Sequence, residues 1–190
     1  MKKIAVFASG SGSNAQNIIK FFQKDRSANV VLVLSNNPKA FVLERAKALG
    51  VDAFTFDKTQ LLDPRGVLSQ LLDYKIDFIV LAGFLWKFPE HIIRKFQQNI
   101  VNIHPALLPN FGGKGMYGMH IHKAVVAAKA KETGITIHHV NAHYDEGAII
   151  FQAKCPVDDN DTPEDVAQKI HTLEMDHFPI VIRDLLISNG

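Results

Sequence analysis

Cys155 is the only cysteine in 190 residues, so no intramolecular disulfide forms and a disulfide-built scaffold is excluded. A reducing, cytoplasmic setting is the expectation that follows. An excess of charge is missing as well: 21 basic and 19 acidic side chains leave a formal +2. That balance supplies neither the basic face of a nucleic-acid binder nor an electrostatic membrane anchor. The longest later apolar run, Phe78 to Trp86, is nine residues, well short of the ~18–20 of a spanning helix. At the start of the chain Ile4 to Ala8 is too short for the ~7–15 residues of a secretory core, and it runs straight into Gly-Ser-Gly-Ser. Low-complexity tracts, internal repeats and linkers are also absent. What is left, at 47% hydrophobic residues, is the expectation of one soluble domain over 1–190 with a single core.

Short β-rich runs alternate with helical patterns, the rhythm of βαβ units. Strands are predicted at Lys3–Ser9, Val30–Ser35, Ala53–Phe56, Phe78–Ala82 and Ile100–Ile103, and helices at Ala15–Lys24, Phe41–Leu49, Pro64–Tyr74 and Pro89–Phe96. Pro105 to Met119 is too irregular for a regular element. A short helix from about His122 to Lys131 follows, then a strand pair, Ile135–Val140 with Ala148–Ala153, across a turn at Asp145-Glu146-Gly147. Thr162-Pro163-Glu164-Asp165 opens a last helix, with Pro179 marking a place for a break. The predicted fold is α/β, a doubly wound and mainly parallel sheet flanked by helices, with an antiparallel pair towards the C-terminal part.

Strand one ends in Ser9-Gly10-Ser11-Gly12-Ser13-Asn14 and a helix begins at once. Glycines there let the backbone approach a ligand, and a helix N-terminus offers unpaired N–H groups to an anion. One reading is a phosphate cradle formed by Gly12, Ser13 and Asn14. A dinucleotide fingerprint is another, but it needs an acid after strand two, where Ser35-Asn36-Asn37-Pro38 stands. A tight turn capped by Ser13, without ligand, is the third. Further along, period-two alternation places Asn102 and His104 on one side of strand five, at the end of the sheet where such folds bind ligands. An amide and an imidazole there can stabilise a developing oxyanion, and a buried histidine bonded to backbone is the plainer alternative. A carboxylate from Asp145 beside His104 would favour the imidazolium.

Nine histidines raise the question of a metal, but no His-Glu-x-x-His or cysteine cluster accompanies His120-Ile121-His122 or His138-His139, and no metal site is assigned. Cys155, just before Pro156, reads as a packed residue.

The glycine loop, Ser35-Asn36, Leu81-Ala82-Gly83-Phe84, Asn102-Ile103-His104-Pro105-Ala106-Leu107-Leu108-Pro109 and Asp145-Glu146-Gly147 together resemble the phosphoribosylglycinamide formyltransferases, a ribonucleotide-using branch of the folate-dependent formyltransferase superfamily. The resemblance covers Lys3 to about Leu185. It implies transfer of a formyl group from 10-formyltetrahydrofolate to the glycyl amine of glycinamide ribonucleotide, through a tetrahedral intermediate and without a metal. Asn102, His104 and Asp145 would then be catalytic, and Gly12, Ser13, Asn14 and Glu174 would hold the ribonucleotide. Arg65, Leu85, Trp86, Lys87, Phe88, His138, Ala142 and Tyr144 would contact the folate. The implied partners are these small molecules, with no nucleic acid and no membrane, and the chain is a monomer or a homodimer. Sister activities, formyltetrahydrofolate hydrolysis and methionyl-tRNA formylation, bring extra domains that 190 residues would not accommodate, and a non-catalytic nucleotide-binding module would leave Asn102, His104 and Asp145 without a task. Two departures stand out. Leu85-Trp86-Lys87 replaces a stretch where many relatives carry arginine, and Phe111 to Gly118 is unusually rich in glycine, which predicts mobility and closure over the folate.

Overall fold

On β1 (Lys2–Phe7), Ile4 and Val6 alternate with Ala5 and Phe7, and all four are fully buried, so this strand needs cover on both faces. The computed structural model, which describes residues 1–188, has helices on each side of one seven-stranded sheet. The other strands are β2 (Ala28–Ser35), β3 (Asp52–Thr55), β4 (Phe78–Leu81), β5 (Ile100–His104), β6 (Glu132–His139) and β7 (Ile149–Pro156). Their order is β3-β2-β1-β4-β5-β6-β7. The pairings from β3 to β5 are parallel, while β5–β6 and β6–β7 are antiparallel. The doubly wound fold and its antiparallel pair are therefore as the sequence predicts.

Period-two alternation sorts the strand residues into two cores. Ile4, Val6 and Val80 join α1 (Ser13–Asp25), α2 (Val42–Ala48), α6 (Met119–Ala127) and α7 (Pro163–Ser188) on one face. Ala5, Phe7 and Ile79 meet Leu61 of α3 (Lys58–Leu62), Leu71 of α4 (Ser69–Asp73) and Ile92 of α5 (Glu90–Lys95) on the other. The chain leaves β1 for β2 and comes back to β4 on the opposite side, so a crevice opens between the carboxyl ends of β1 and β4.

Three elements depart from the sequence prediction. The helix expected at Pro64–Tyr74 is preceded by an unexpected short one, α3, which a capping box of Asp57 and Gln60 opens and extended Asp63 (φ −80°, ψ 123°) ends. The expected helix is then interrupted at Gly66 (φ −88°, ψ −114°), where a Cβ would lie 2.1 Å from the Gln60 carbonyl oxygen. Helix α6 starts at Met119, three residues before the expected His122, and ends at Ala127 ahead of Lys129, whose φ of 48° halts it. Helix α7 opens as expected, with Thr162 Oγ1 accepting from the Asp165 N–H, but it does not break at Pro179. Proline cannot bond the carbonyl four residues back, that of Met175, and its ring crowds that oxygen. Here the Met175 oxygen accepts from Asn17 Nδ2 of α1 at 2.8 Å, so the helix continues without an orphaned carbonyl.

Candidate active site

The loop after β1 is shaped by Gly12, which caps α1 in a left-handed conformation (φ 76°) and makes no side-chain cap bond. A Cβ at this position would sit 2.4 Å from Val42 Cγ2, so only glycine lets the loop pack on α2. With no side-chain cap, the first-turn N–H groups lack the usual partner. Ser9 fixes the surroundings. Its hydroxyl donates to Asn36 Oδ1 at 2.6 Å and accepts from the Leu85 N–H at 3.1 Å, tying the ends of β1, β2 and β4 together.

Across the crevice, Asn14 Nδ2 donates to Glu174 of α7 at 2.9 Å, while Asn14 Oδ1 is buried with no partner. Burial pushes the Glu174 carboxyl up to about 7 against the lowering effect of Asn14. His171 Nδ1 stands 3.9 Å from the same carboxylate.

The second cluster comes from β5 and β6. The antiparallel register pairs Asn102 directly with His138, and Asn102 Nδ2 lies 3.0 Å from His138 Nε2. His104 Nε2 donates to the Phe111 carbonyl at 2.8 Å, and its Nδ1 faces Asp145 Oδ2 at 3.5 Å. Asp145 also accepts from the Gly113 N–H at 3.0 Å. Burial raises the Asp145 carboxyl, but the His138 and His104 rings and the Gly113 N–H outweigh it and hold it below the ordinary range. For His104 the balance runs against the sequence prediction of an imidazolium. Burial pushes its ring below the ordinary histidine value, and Asp145 and the Phe111 carbonyl recover only part of that shift. Beneath this cluster, the buried Thr136 hydroxyl donates to the Ala106 carbonyl and accepts from the Leu108 N–H, fixing the chain just after His104. The Phe111–Gly118 segment is thus bonded at its start to two of the three catalytic candidates, His104 and Asp145.

A cavity of about 710 Å3 joins the two clusters, lined by Ser9 to Asn14 and Glu174 at one end and by Asn102, His104 and Asp145 at the other. A small one of about 60 Å3, lined by Trp86, Phe88, His138 and Tyr144, adjoins it. A third, of about 810 Å3, runs beneath Leu85, Trp86 and Pro89 with Lys58, Lys87 and Arg94 around it. Tyr144 lines all three. Trp86 stands edge-on to Phe56, within the Phe7, Phe56, Phe84 and Phe88 cluster.

Most of the residues named from sequence therefore converge. Arg65 does not: it pairs with Asp63 at 3.1 Å, its side chain is 91% exposed, and it lines none of these cavities. Ala142 is likewise absent from their linings, between Asn141 and His143 of the small one. Sequence reasoning passed over Ser9 and Thr136, whose short hydroxyl side chains carry no motif of their own, and His122, which is buried with Nδ1 unpartnered and lines the main cavity. It also missed Lys58 and Arg94, which reach the third cavity from helices apart in sequence. Among the described residues no group of three or more His, Cys, Asp or Glu is placed to hold a metal ion, and no helix is long and apolar enough to cross a membrane.

Residues 2–182 match the Formyl transferase family. The chain is 39% identical to a chloroplastic phosphoribosylglycinamide formyltransferase of Vigna unguiculata, over 97% of this chain, and spans 61% of that relative's length. It is 35% identical to the phosphoribosylglycinamide formyltransferase of Bacillus subtilis (strain 168), over 100% of this chain and 97% of that one. In three dimensions it is similar to glycinamide ribonucleotide transformylase 1 from Symbiobacterium toebii, with a TM-score of 0.90, 34% identity and coverage of 99% and 89% of the two chains. On these grounds the chain belongs to the formyl transferase family, in its phosphoribosylglycinamide formyltransferase branch.

Proposed function

We propose that this chain transfers the formyl group of 10-formyltetrahydrofolate to the glycyl amine of glycinamide ribonucleotide, a step of purine biosynthesis. The observation that carries the reading is the single cavity with an anion-binding loop and Glu174 at one end and Asn102, His104 and Asp145 at the other. A ribonucleotide bearing an amine spans such a site, with its phosphate on the N–H groups of Gly12, Ser13 and Asn14 and its ribose hydroxyls on Glu174. The glycine loop has no acid after β2 for a dinucleotide, so the phosphate cradle is preferred.

The formyl donor is assigned to the adjoining cavities by the chemistry of their linings. Trp86, Phe88 and Tyr144 suit a flat heteroaromatic ring, and Lys58, Lys87 and Arg94 suit the carboxylates of its tail. Arg94 is partly engaged, since Glu90 pairs with it at 3.1 Å. The donor carries the one-carbon unit and the acceptor amine is already a nucleophile, so the chain's residues need only stabilise charge and move a proton.

As the amine attacks, negative charge grows on the formyl oxygen. Asn102 supplies an N–H and His104 supplies Nε2–H, with the formyl oxygen taking the place now held by the Phe111 carbonyl. Although burial keeps His104 below the usual value, a developing oxyanion draws its pKa back up. Asp145, on the Nδ1 side, then stabilises the charged ring and relays the proton from the attacking to the departing nitrogen.

A formyl-transfer assay with both substrates, run beside His104→Ala, tests the reading. Wild type formylates the amine, and the variant falls about a hundred- to a thousand-fold in rate, the usual cost of one oxyanion donor. A wild type that leaves the amine unmodified, or a variant of equal rate, refutes it.

A further inference from the structure

The catalytic amide has two ways round, and only one of them is useful. An Asn102 that turned its carbonyl oxygen to the site would set an acceptor against the growing oxyanion. The sequence resemblance makes His138 a folate contact, yet it is 2% exposed and sits directly opposite Asn102 in the β5–β6 register. We infer that His138 is a positioning residue, which fixes the orientation of the Asn102 amide through a ring tautomer set by the His139 backbone carbonyl.

The steps follow from hydrogen-bond polarity. His138 Nδ1 lies 2.9 Å from the His139 carbonyl oxygen, which only accepts, so Nδ1 carries the proton. In the neutral ring Nε2 is then an acceptor. The group facing it at 3.0 Å must donate, so it is the amide nitrogen of Asn102 and not the oxygen. One N–H of that amide is spent on His138, and the second stays available to the cavity that Asn102 lines. Asp145 Oδ1 is 3.7 Å from the same Nε2, beyond hydrogen-bond reach, so its interaction with this ring is one of charge, and in the neutral ring the 3.0 Å contact with Asn102 sets the role of this nitrogen. Burial excludes water as a substitute partner, and a ring without an acceptor here would leave the amide free to flip.

The inference rests on the formyl-transfer reading for its rate effect, but the tautomer can be read without substrates. Ring 15N shifts of His138 in the unliganded protein, identified by their loss in His138→Asn, should show Nδ1 protonated and Nε2 with a lone pair; the opposite tautomer overturns the proposal while leaving the activity reading intact. In kinetics, His138→Asn keeps a donor for the His139 carbonyl but loses the acceptor, and kcat should fall about 10- to 100-fold with both KM values within about twofold, a share of the full oxyanion-donor effect. His138→Gln puts an acceptor near the Nε2 position and should recover at least about tenfold of that loss. Combining His138→Asn with Asn102→Ala should be no slower than Asn102→Ala alone, since the two act through one amide. A raised KM for the formyl donor with kcat kept, or losses that multiply in the double variant, would show that His138 does not act through Asn102.

Discussion

Asn17→Ala offers a direct test of how α7 carries Glu174 to the glycine loop. Pro179 leaves the Met175 carbonyl without a helical partner, and Asn17 Nδ2 supplies one at 2.8 Å. Asn14 lies one turn earlier on α1 and binds Glu174 at 2.9 Å, so two adjacent residues of α7 are stitched to one face of α1. Removing the Asn17 amide strands a half-buried carbonyl, which costs about 1–3 kcal/mol. For a chain of this size 2 kcal/mol corresponds to a melting point lower by roughly 4–8 °C. The loss should also let Glu174 drift, raising KM for the ribonucleotide more than it lowers kcat.

The control is Pro179→Ala, which restores an N–H to bond the Met175 carbonyl within the helix. In that background Asn17→Ala should cost under about 0.5 kcal/mol, because the carbonyl is already satisfied. Urea unfolding of the four proteins gives the coupling. An Asn17→Ala penalty that is the same with proline and with alanine at 179 would mean that Asn17 acts through something other than this carbonyl.

Two further outcomes follow from the same loop and helix. Burial raises the Glu174 carboxyl from 4.5 to about 7, so the folded state holds this proton more tightly than the unfolded one. Stability from that proton is full below about 4.5 and is lost as pH rises through about 7; Glu174→Gln should flatten this slope in melts, and an unchanged slope would refute the assignment. The ionised carboxylate is the better acceptor for ribose hydroxyls, so KM for the ribonucleotide should fall as pH rises through about 7 in wild type and stay level in the variant. Gly12→Ala forces a side chain into a left-handed backbone and against Val42, which should cost more than the ~1–2 kcal/mol of the backbone alone and abolish ribonucleotide binding. Val42→Ala in the same chain should not restore the denaturant midpoint, because Val42 Cβ and Cα would still stand 2.5 Å and 2.7 Å from the added methyl.

Much of the fold could be read from local pattern, because β1, β2 and β4 are apolar runs bounded by glycine, proline or polar turns and their helices repeat at three and four residues. Local pattern failed where a partner distant in the chain decides the outcome. Pro179 reads as a break until Asn17, 158 residues before Met175, is known to take the freed carbonyl. Gly66 sits inside an apparently regular helix, and only its approach to the Gln60 carbonyl shows why that helix is interrupted. The site divides the same way. Asn102 and His104 share a strand face, which alternation reveals, but the pairing of Asn102 with His138 depends on an antiparallel register across 36 residues. The charge state of His104 depends on burial against a carboxylate, and which of the two wins is a property of depth that a residue order does not contain.

Ser9 shows why the separate motifs of the sequence belong to one device. Its hydroxyl has one proton and two lone pairs, and here it donates to Asn36 after β2 while accepting from the Leu85 N–H after β4. Its own carbonyl accepts from Asn37 Nδ2 at 3.4 Å. The segments Ser35-Asn36 and Ala82-Gly83-Phe84 therefore need not touch a ligand to matter: they hold the glycine loop at the topological switch point and set the floor beneath Leu85, Trp86 and Phe84. On the proposed reading the ribonucleotide and folate ends of the site would share this support, whereas Thr136 steadies Ala106 and Leu108, just after the strand that carries Asn102 and His104, and accepts from Gln152 of β7. The first support would then serve binding and the second chemistry, so substitutions at Ser9 should act mainly on KM and those at Thr136 mainly on kcat.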